Sequence, residues 1–358
     1  MRFEMRMNYM QDVQLFKYRS TAVWYSLLIL LILLAPVMLE TYWISLLNMV
    51  GIYIIASLGL NLLSGYTGQV SLGHAALFGI GAYSSAILTV TLKLSFWLAL
   101  PMSGLIAAIV GVVIGLPALR LKGLYFAIST MGFGFIVEEI IIQWESLTNG
   151  VNGFLVNRPS IGSFEFSTDE SYYYIVFFLV IIVTIIFQNI LRTPTGRAFI
   201  AIRDSEIAAE SMGINLAAFK TKAFGISAFF TGVSGALFAH FMLFIGPENF
   251  DLMVSISFLV MILVGGMGSV HGSVFGAIFV AVLPEMISLS KDYIPDIIAE
   301  QAGLEAAVYG LILLLFIRFE PLGLYGRWLK IKFYFEHFPY YKKDTFKRVR
   351  KFYRREMQ

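Results

Sequence analysis

Residues able to do covalent chemistry are scarce in this chain and poorly spaced for it. The four histidines, His74, His240, His271 and His337, stand far apart, with no HExxH or other paired ligand spacing. Cysteine is absent, which removes disulfides and thiolate metal sites. No Gly-x-x-x-x-Gly-Lys followed by Ser or Thr occurs, so this chain cannot cradle nucleotide phosphates in a P-loop. An intramembrane enzyme would need a nucleophile with a base, or metal ligands, converging in the membrane. His74 and His271 could approach one another if two broken segments meet, but no carboxylate accompanies them at useful spacing. The expectation is no catalytic site, no metal and no cofactor.

One segment is chemically dense. Residues 192–222 read RTPTGRAFIAIRDSEIAAESMGINLAAFKTK and carry Arg197, Arg203, Asp204, Glu206, Glu210, Lys220 and Lys222 between two long apolar runs. Thr193-Pro194 is a helix start, with Thr as cap and Pro at the first helical position. Asp204 or Ser205 can cap a second short helix running to Met212, and Gly213 supplies the left-handed residue that ends it, with Ile214 behind. On that helix Ile207, Ala208, Ser211 and Met212 share one face, and Glu206 and Glu210 share another. A small-residue face flanked by carboxylates suits insertion into another protein's groove. A solvated linker would instead be rich in Gly and Ser.

The elements around this island belong in lipid. The chain is 58% hydrophobic and 14% charged, whereas soluble domains run about 45–50% apolar and about 25% charged. Apolar runs near 22–39, 42–63, 74–92, 97–119, 124–143, 172–191, 222–245, 253–267, 273–289 and 304–319 predict about ten helical spans. The basic N-terminal stretch lacks a small-x-small cleavage site after its apolar run, and reads as leading into a retained first span. With the N-terminus cytoplasmic, the Lys/Arg clusters at Arg120/Lys122, 192–222 and the tail all fall on that side. The loop 144–171, with Arg158 against Glu145, Glu165, Asp169 and Glu170, and the loop 290–303 fall on the other. The division is then a cytoplasmic basic segment 1–21, a membrane domain 22–320 and a basic aromatic cytoplasmic tail 321–358.

Two polar, glycine-rich breaks interrupt the spans, NLLSGYTGQVSLGH (Asn61 to His74) and GGMGSVHGSVFG (Gly265 to Gly276). They are faintly alike, as a degenerate repeat would be, and paired breaks of this kind are where transporters put a permeation path. Asn61, Gln69, Ser71, His74, Gly268 and His271 are the residues expected beside it; two ordinary interhelical loops are the competing reading. Gly268/Gly272/Gly276 and Ala228/Gly232/Ala236 are four-residue repeats of small residues, read as packing faces within the subunit.

EIAAESMGI (Glu206 to Ile214) after TPTGRAFIAIRD resembles the signature cytoplasmic loop of branched-chain amino-acid ABC transporter permeases. GLNLLSGYTGQVSLGHAALFGIGAY (Gly59 to Tyr83), and GPENF with LVGGMGSVHGSVFGA (Gly246 to Ala277), match the same family in order, and the M-type subunit best. The resemblance implies a second homologous permease subunit, two ABC ATPase subunits and an extracytoplasmic substrate-binding protein. It implies that the loop residues Arg197, Arg203, Glu206, Ala208, Ala209 and Gly213 couple to an ATPase. It implies branched-chain amino acids as cargo, with urea or short amides as the alternative within the family. The wider importer motif E-A-A-x-x-x-G is interrupted here by Ile207, which argues against sugar or peptide importers.

An ion-coupled transporter needs ionisable groups deep in its spans. Glu138, Glu139 and Glu285 lie near span ends, and His240 is the deepest and reads as a packing residue. The tail mixes eleven basic residues with aromatic ones over 327–358; a membrane surface suits it better than nucleic acid.

Overall fold

The computed structural model describes residues 19–118, 121, 123–161, 164–290, 303–320 and 322–337. The expectations for residues 1–18, for Arg120 and Lys122, for most of the 290–303 loop and for the tail beyond 337 lie outside the described residues.

Long runs of Leu, Ile, Val and Phe form helices because a backbone in hydrocarbon has to bond to itself. In chain order these are α1 (Arg19–Met38), α2 (Thr41–Asn61), α3 (His74–Ala86), α4 (Phe96–Ala118), α5 (Leu124–Gln143) and a single turn α6 (Glu145–Thr148). Then follow α7 (Asp169–Arg192), α8 (Pro194–Asp204), α9 (Glu206–Ser211), α10 (Leu216–Met242), α11 (Leu252–Gly265), α12 (Val270–Ser290), α13 (Leu304–Phe319) and α14 (Gly323–His337). Helices α2 and α3 each end in a wider π turn, Leu62–Tyr66 and Ile87–Thr91.

Eight of these elements are long and apolar enough to cross a bilayer, and nine if the bent pair α13–α14 counts as one span. Counted over the described residues alone, the expected ten is not confirmed. The run at 22–39 lies in a 20-residue helix, Arg19–Met38, and α13 meets α14 at a 50° bend.

The layering follows from burial. Some 78% of the apolar window is buried in α2 and in α10, against 33–39% in the spans built on α4, α5, α7, α11 and α12. The first two are thus the axis and the others a ring. Helix α10 packs on α4, α3 and α2. Small residues permit it: a Cβ at Gly81 would lie 2.1 Å from Gly232 O, and one at Gly235 would lie 1.9 Å from Phe78 O. Serines stitch the same contact, Ser227 donating to Gly59 O at 2.6 Å and Ser234 to Ile52 O at 2.6 Å. A Cβ at Gly272 would lie 2.4 Å from Gly266 O, and one at Gly276 would lie 1.7 Å from Met261 O, so the small-residue repeats pack inside the subunit. Outward-facing Val23, Trp24, Leu31, Phe178 and Leu314 are exposed, as lipid-facing side chains are.

Candidate functional site

The island folds as its caps dictate. Thr193 caps α8, accepting from Gly196 N at 3.4 Å, with Pro194 in the first turn. Ser205, of the two alternatives, caps α9, accepting from Ala208 N at 3.2 Å. Gly213 at φ +83° closes α9; its N–H donates to Glu210 O at 2.9 Å and that of Ile214 to Ala209 O at 3.0 Å. Those two bonds are the αL-terminated pairing that satisfies orphan carbonyls.

One face of this segment is seated. Phe199 and Ile202 of α8 and Ala209 of α9 are buried, and Phe199 meets Phe219 edge-on. The opposite face is open. Ile207 is 77% and Met212 83% exposed, with Ala208, Glu210, Ser211 and Gly213 beside them. Such large apolar side chains held out on a rigid turn are what a docking surface needs.

The carboxylates do not behave alike. Glu210 points outward, but Glu206 turns back onto its own subunit, where Oε1 accepts from Lys220 Nζ at 2.6 Å. Lys220 is 4% exposed. The expectation is that both glutamates are open to a foreign cation; Glu206 has a cation of its own chain, and Glu210 is exposed. Of the other loop residues, Arg197 is exposed and donates to Arg192 O at 3.3 Å. Arg203 bonds Asp204 and also reaches inward, Nη1 donating to Gly65 O at 3.2 Å.

Gly65 belongs to the first break, and the two breaks cross beneath the bundle. Asn61 is the hub: Nδ2 donates to Ser269 O at 2.9 Å and Ser273 Oγ at 2.8 Å, while Oδ1 accepts from Gly268 N at 2.9 Å. Asn61 is 1% exposed, so these bonds have no competition from water. Ser71 and His74 are buried too: His74 Nδ1 pairs with Ser71 Oγ at 3.0 Å and Nε2 with Ser227 Oγ at 2.8 Å. Gln69 is buried with Oε1 lacking a hydrogen-bond partner. His271 bonds Tyr25 of α1 at 2.7 Å and stacks on Tyr325 of α14. His74 and His271 therefore serve different contacts. His240 is a packing residue, bonded to Ser85 Oγ and Asn157 O. Among the described residues no group of three His, Cys, Asp or Glu could hold a metal.

At the opposite end, strands Phe154–Leu155 and Phe244–Ile245 pair antiparallel, joining the 144–168 and 243–251 segments. Asp169 there accepts from Arg158 at 2.5 Å and from Ser45, and Asn48 Nδ2 donates to its carbonyl. This ladder was not legible in the sequence, because two-residue strands have no periodicity. Nor was the Lys220–Glu206 pair, although a lysine one turn after the helix cap Asn215 is positioned to reach back.

The profile of a family described as the branched-chain amino acid transport system permease component matches residues 42–317. The chain is 36% identical over 258 residues to the high-affinity branched-chain amino acid transport system permease protein LivM of Salmonella typhimurium. It is equally identical to the protein of that name from Escherichia coli. In both, 65% of this chain and 61% of the relative are covered, so the chain spans less than two thirds of these relatives' length. A probable branched-chain amino acid transport permease protein LivM of Methanocaldococcus jannaschii is 25% identical over 314 residues, covering 76% of this chain and 90% of that protein. No solved structure matches.

Proposed function

Since this chain belongs to the branched-chain amino acid transport system permease-component family, we propose that it is one permease subunit of an ATP-driven importer of branched-chain amino acids. It is a membrane protein of a transport family, not of an enzyme family. The single observation that carries the energy-coupling part is α9: a six-residue helix clamped from behind by Lys220 and presenting Ile207, Met212 and Glu210 outward. A helix this short has no stability of its own. Clamped to the body, it can transmit a push, and this surface receives an ATPase subunit.

In this reading the 192–222 end and both termini face the cytoplasm of the cell membrane. A second homologous permease subunit completes the translocating unit, with two ATPases below and an extracytoplasmic binding protein above. The binding protein lands on the acidic face near 144–171 and 246–252, where Glu145, Glu165, Glu170 and Glu248 are exposed. Solute passes beside the crossing of the two breaks, where Asn61, Gln69, Ser71, His74, Gly268 and His271 lie, once that crossing parts. The basic aromatic face of α14 rests on anionic lipid, its Trp328, Phe333 and Phe335 exposed among Arg327, Lys330 and Lys332.

The test is reconstitution. Expressed with its neighbouring transport genes, the chain should co-purify with an ATPase, and vesicles of the complex should accumulate leucine on ATP in a vanadate-sensitive way. Uptake by this chain alone, driven by an ion gradient and collapsed by ionophore, would overturn the proposal.

A further inference from the structure

Arg203 lies on the α8–α9 segment with its side chain 37% exposed, yet one arm of the guanidinium reaches towards the breaks. It enters a notch floored by glycines of both breaks. A Cβ at Gly68 would sit 3.3 Å from Arg203 Cγ, and a Cβ at Gly268 would sit 2.9 Å from Nη1 and 3.1 Å from Gly65 O. Gly68 and Gly268 both hold φ +75°, so the backbone there curls around the guanidinium in a conformation side chains resist. Across the notch, a Cβ at Gly65 would lie 2.5 Å from Gly268 N, which shows how closely the two breaks touch. One turn further in, Asn61 ties them by three hydrogen bonds.

The guanidinium therefore has two attachments of different kind. Nε and Nη2 hold Asp204 on its own segment at 3.1 and 3.0 Å. Nη1 holds Gly65 O, on the first break, and is in contact range of the second. The fixed fork of arginine makes both bonds at once, which the single ammonium of lysine cannot do with the same geometry.

We propose that Arg203 is a positioning residue that carries displacement of the α8–α9 segment to the crossing of the two breaks, keeping the crossing shut while seated and releasing it when the segment moves. The inference rests on the transport reading above and deepens it. It assigns Arg203 to transmission inside this subunit, whereas Ile207, Glu210 and Met212 make the outer contact. The two duties are separable by mutation. Losing the outer contact removes both hydrolysis and transport, and losing the link removes transport alone.

The experiment uses the assembled complex in proteoliposomes, with ATP hydrolysis and leucine uptake measured together. Arg203→Met should keep an intact complex and hydrolysis within about twofold of wild type while uptake falls at least about tenfold, a loss of roughly 1.4 kcal/mol of coupling. Arg203→Lys should recover part of the uptake. Parallel loss of hydrolysis and uptake, or normal uptake in Arg203→Met, overturns the assignment. Should Arg203→Met fail to assemble, the absence of native cysteine permits a second measurement with Arg203 in place. Spin labels at Thr195→Cys and Met267→Cys report the separation of segment and second break. A separation that changes between the nucleotide-free and vanadate-trapped complex supports the link, and one that stays constant overturns it. If the wild-type complex itself shows no ATP-driven uptake, the transport reading fails, whatever Arg203 does.

Discussion

Lys220→Met isolates the clamp behind the docking helix. The Lys220 side chain is 5% and the Glu206 side chain 29% exposed, and Nζ lies 2.6 Å from Oε1. Breaking a fully buried pair from one side costs about 3–5 kcal/mol. Here the Glu206 side chain keeps partial access to water, so the cost drops towards that of one charged hydrogen bond, about 1.5–3 kcal/mol. The penalty falls locally, because α9 is otherwise seated mainly through Ala209 and its flanks. A detached six-residue helix does not persist, so detachment melts it. At about 1.4 kcal/mol per factor of ten, the melted population rises on the order of tenfold or more. Hydrogen exchange reads this directly at the amides of Met212, Gly213 and Ile214, which bond to Ala208, Glu210 and Ala209 carbonyls. Their exchange should quicken by roughly that factor, while leucine imported per ATP hydrolysed declines. Adding Glu206→Gln should restore part of the protection, since it removes the charge that Lys220 balances. Unchanged exchange at these three amides in Lys220→Met would refute the clamp.

Ile207→Asp and Met212→Asp should leave expression and thermal stability within about 0.5 kcal/mol of wild type, as exposed positions do, yet abolish co-purification of the ATPase; retention of the ATPase would remove α9 as its docking site. Asn61→Leu should strand the Gly268 N–H at about 1–3 kcal/mol, read as a lower unfolding temperature in detergent; an unchanged temperature would mean the crossing is not held by this residue. Gly276→Ala would put a Cβ 1.7 Å from Met261 O and should prevent accumulation of folded protein, whereas Gly310→Ala has nothing within 4 Å and should be silent. Equal yields of the two variants would contradict the packing of α11 on α12.

Hydropathy alone reveals the spans because the bilayer imposes one requirement on all of them, and caps reveal the island because Thr193, Ser205 and Gly213 each do a local job. Both are properties of nearby residues. What stayed hidden depends on residues distant in sequence. Glu206 and Glu210 are equivalent on a helical wheel, and only the arrival of α10 decides that Glu206 faces Lys220. Asn61 stood out as an amide inside an apolar run, and the two breaks as glycine-rich patches, but no spacing announces that Gly268 will donate to Asn61. Arg203 was legible as a charged loop residue and not as one turned inward, since that direction is set by the glycine notch.

The ladder between Phe154–Leu155 and Phe244–Ile245 has a consequence for biosynthesis. Leu155 leaves the ribosome about ninety residues before its partner strand, at synthesis rates of about 5–20 residues per second. In that interval the edge beside Leu155 stays unpaired, a template for mispairing. It closes only after α7 and α10 have been threaded into the bilayer. The ladder is thus among the later features to mature, and a nascent chain arrested before Phe244 would display an open seam that quality-control proteases can recognise.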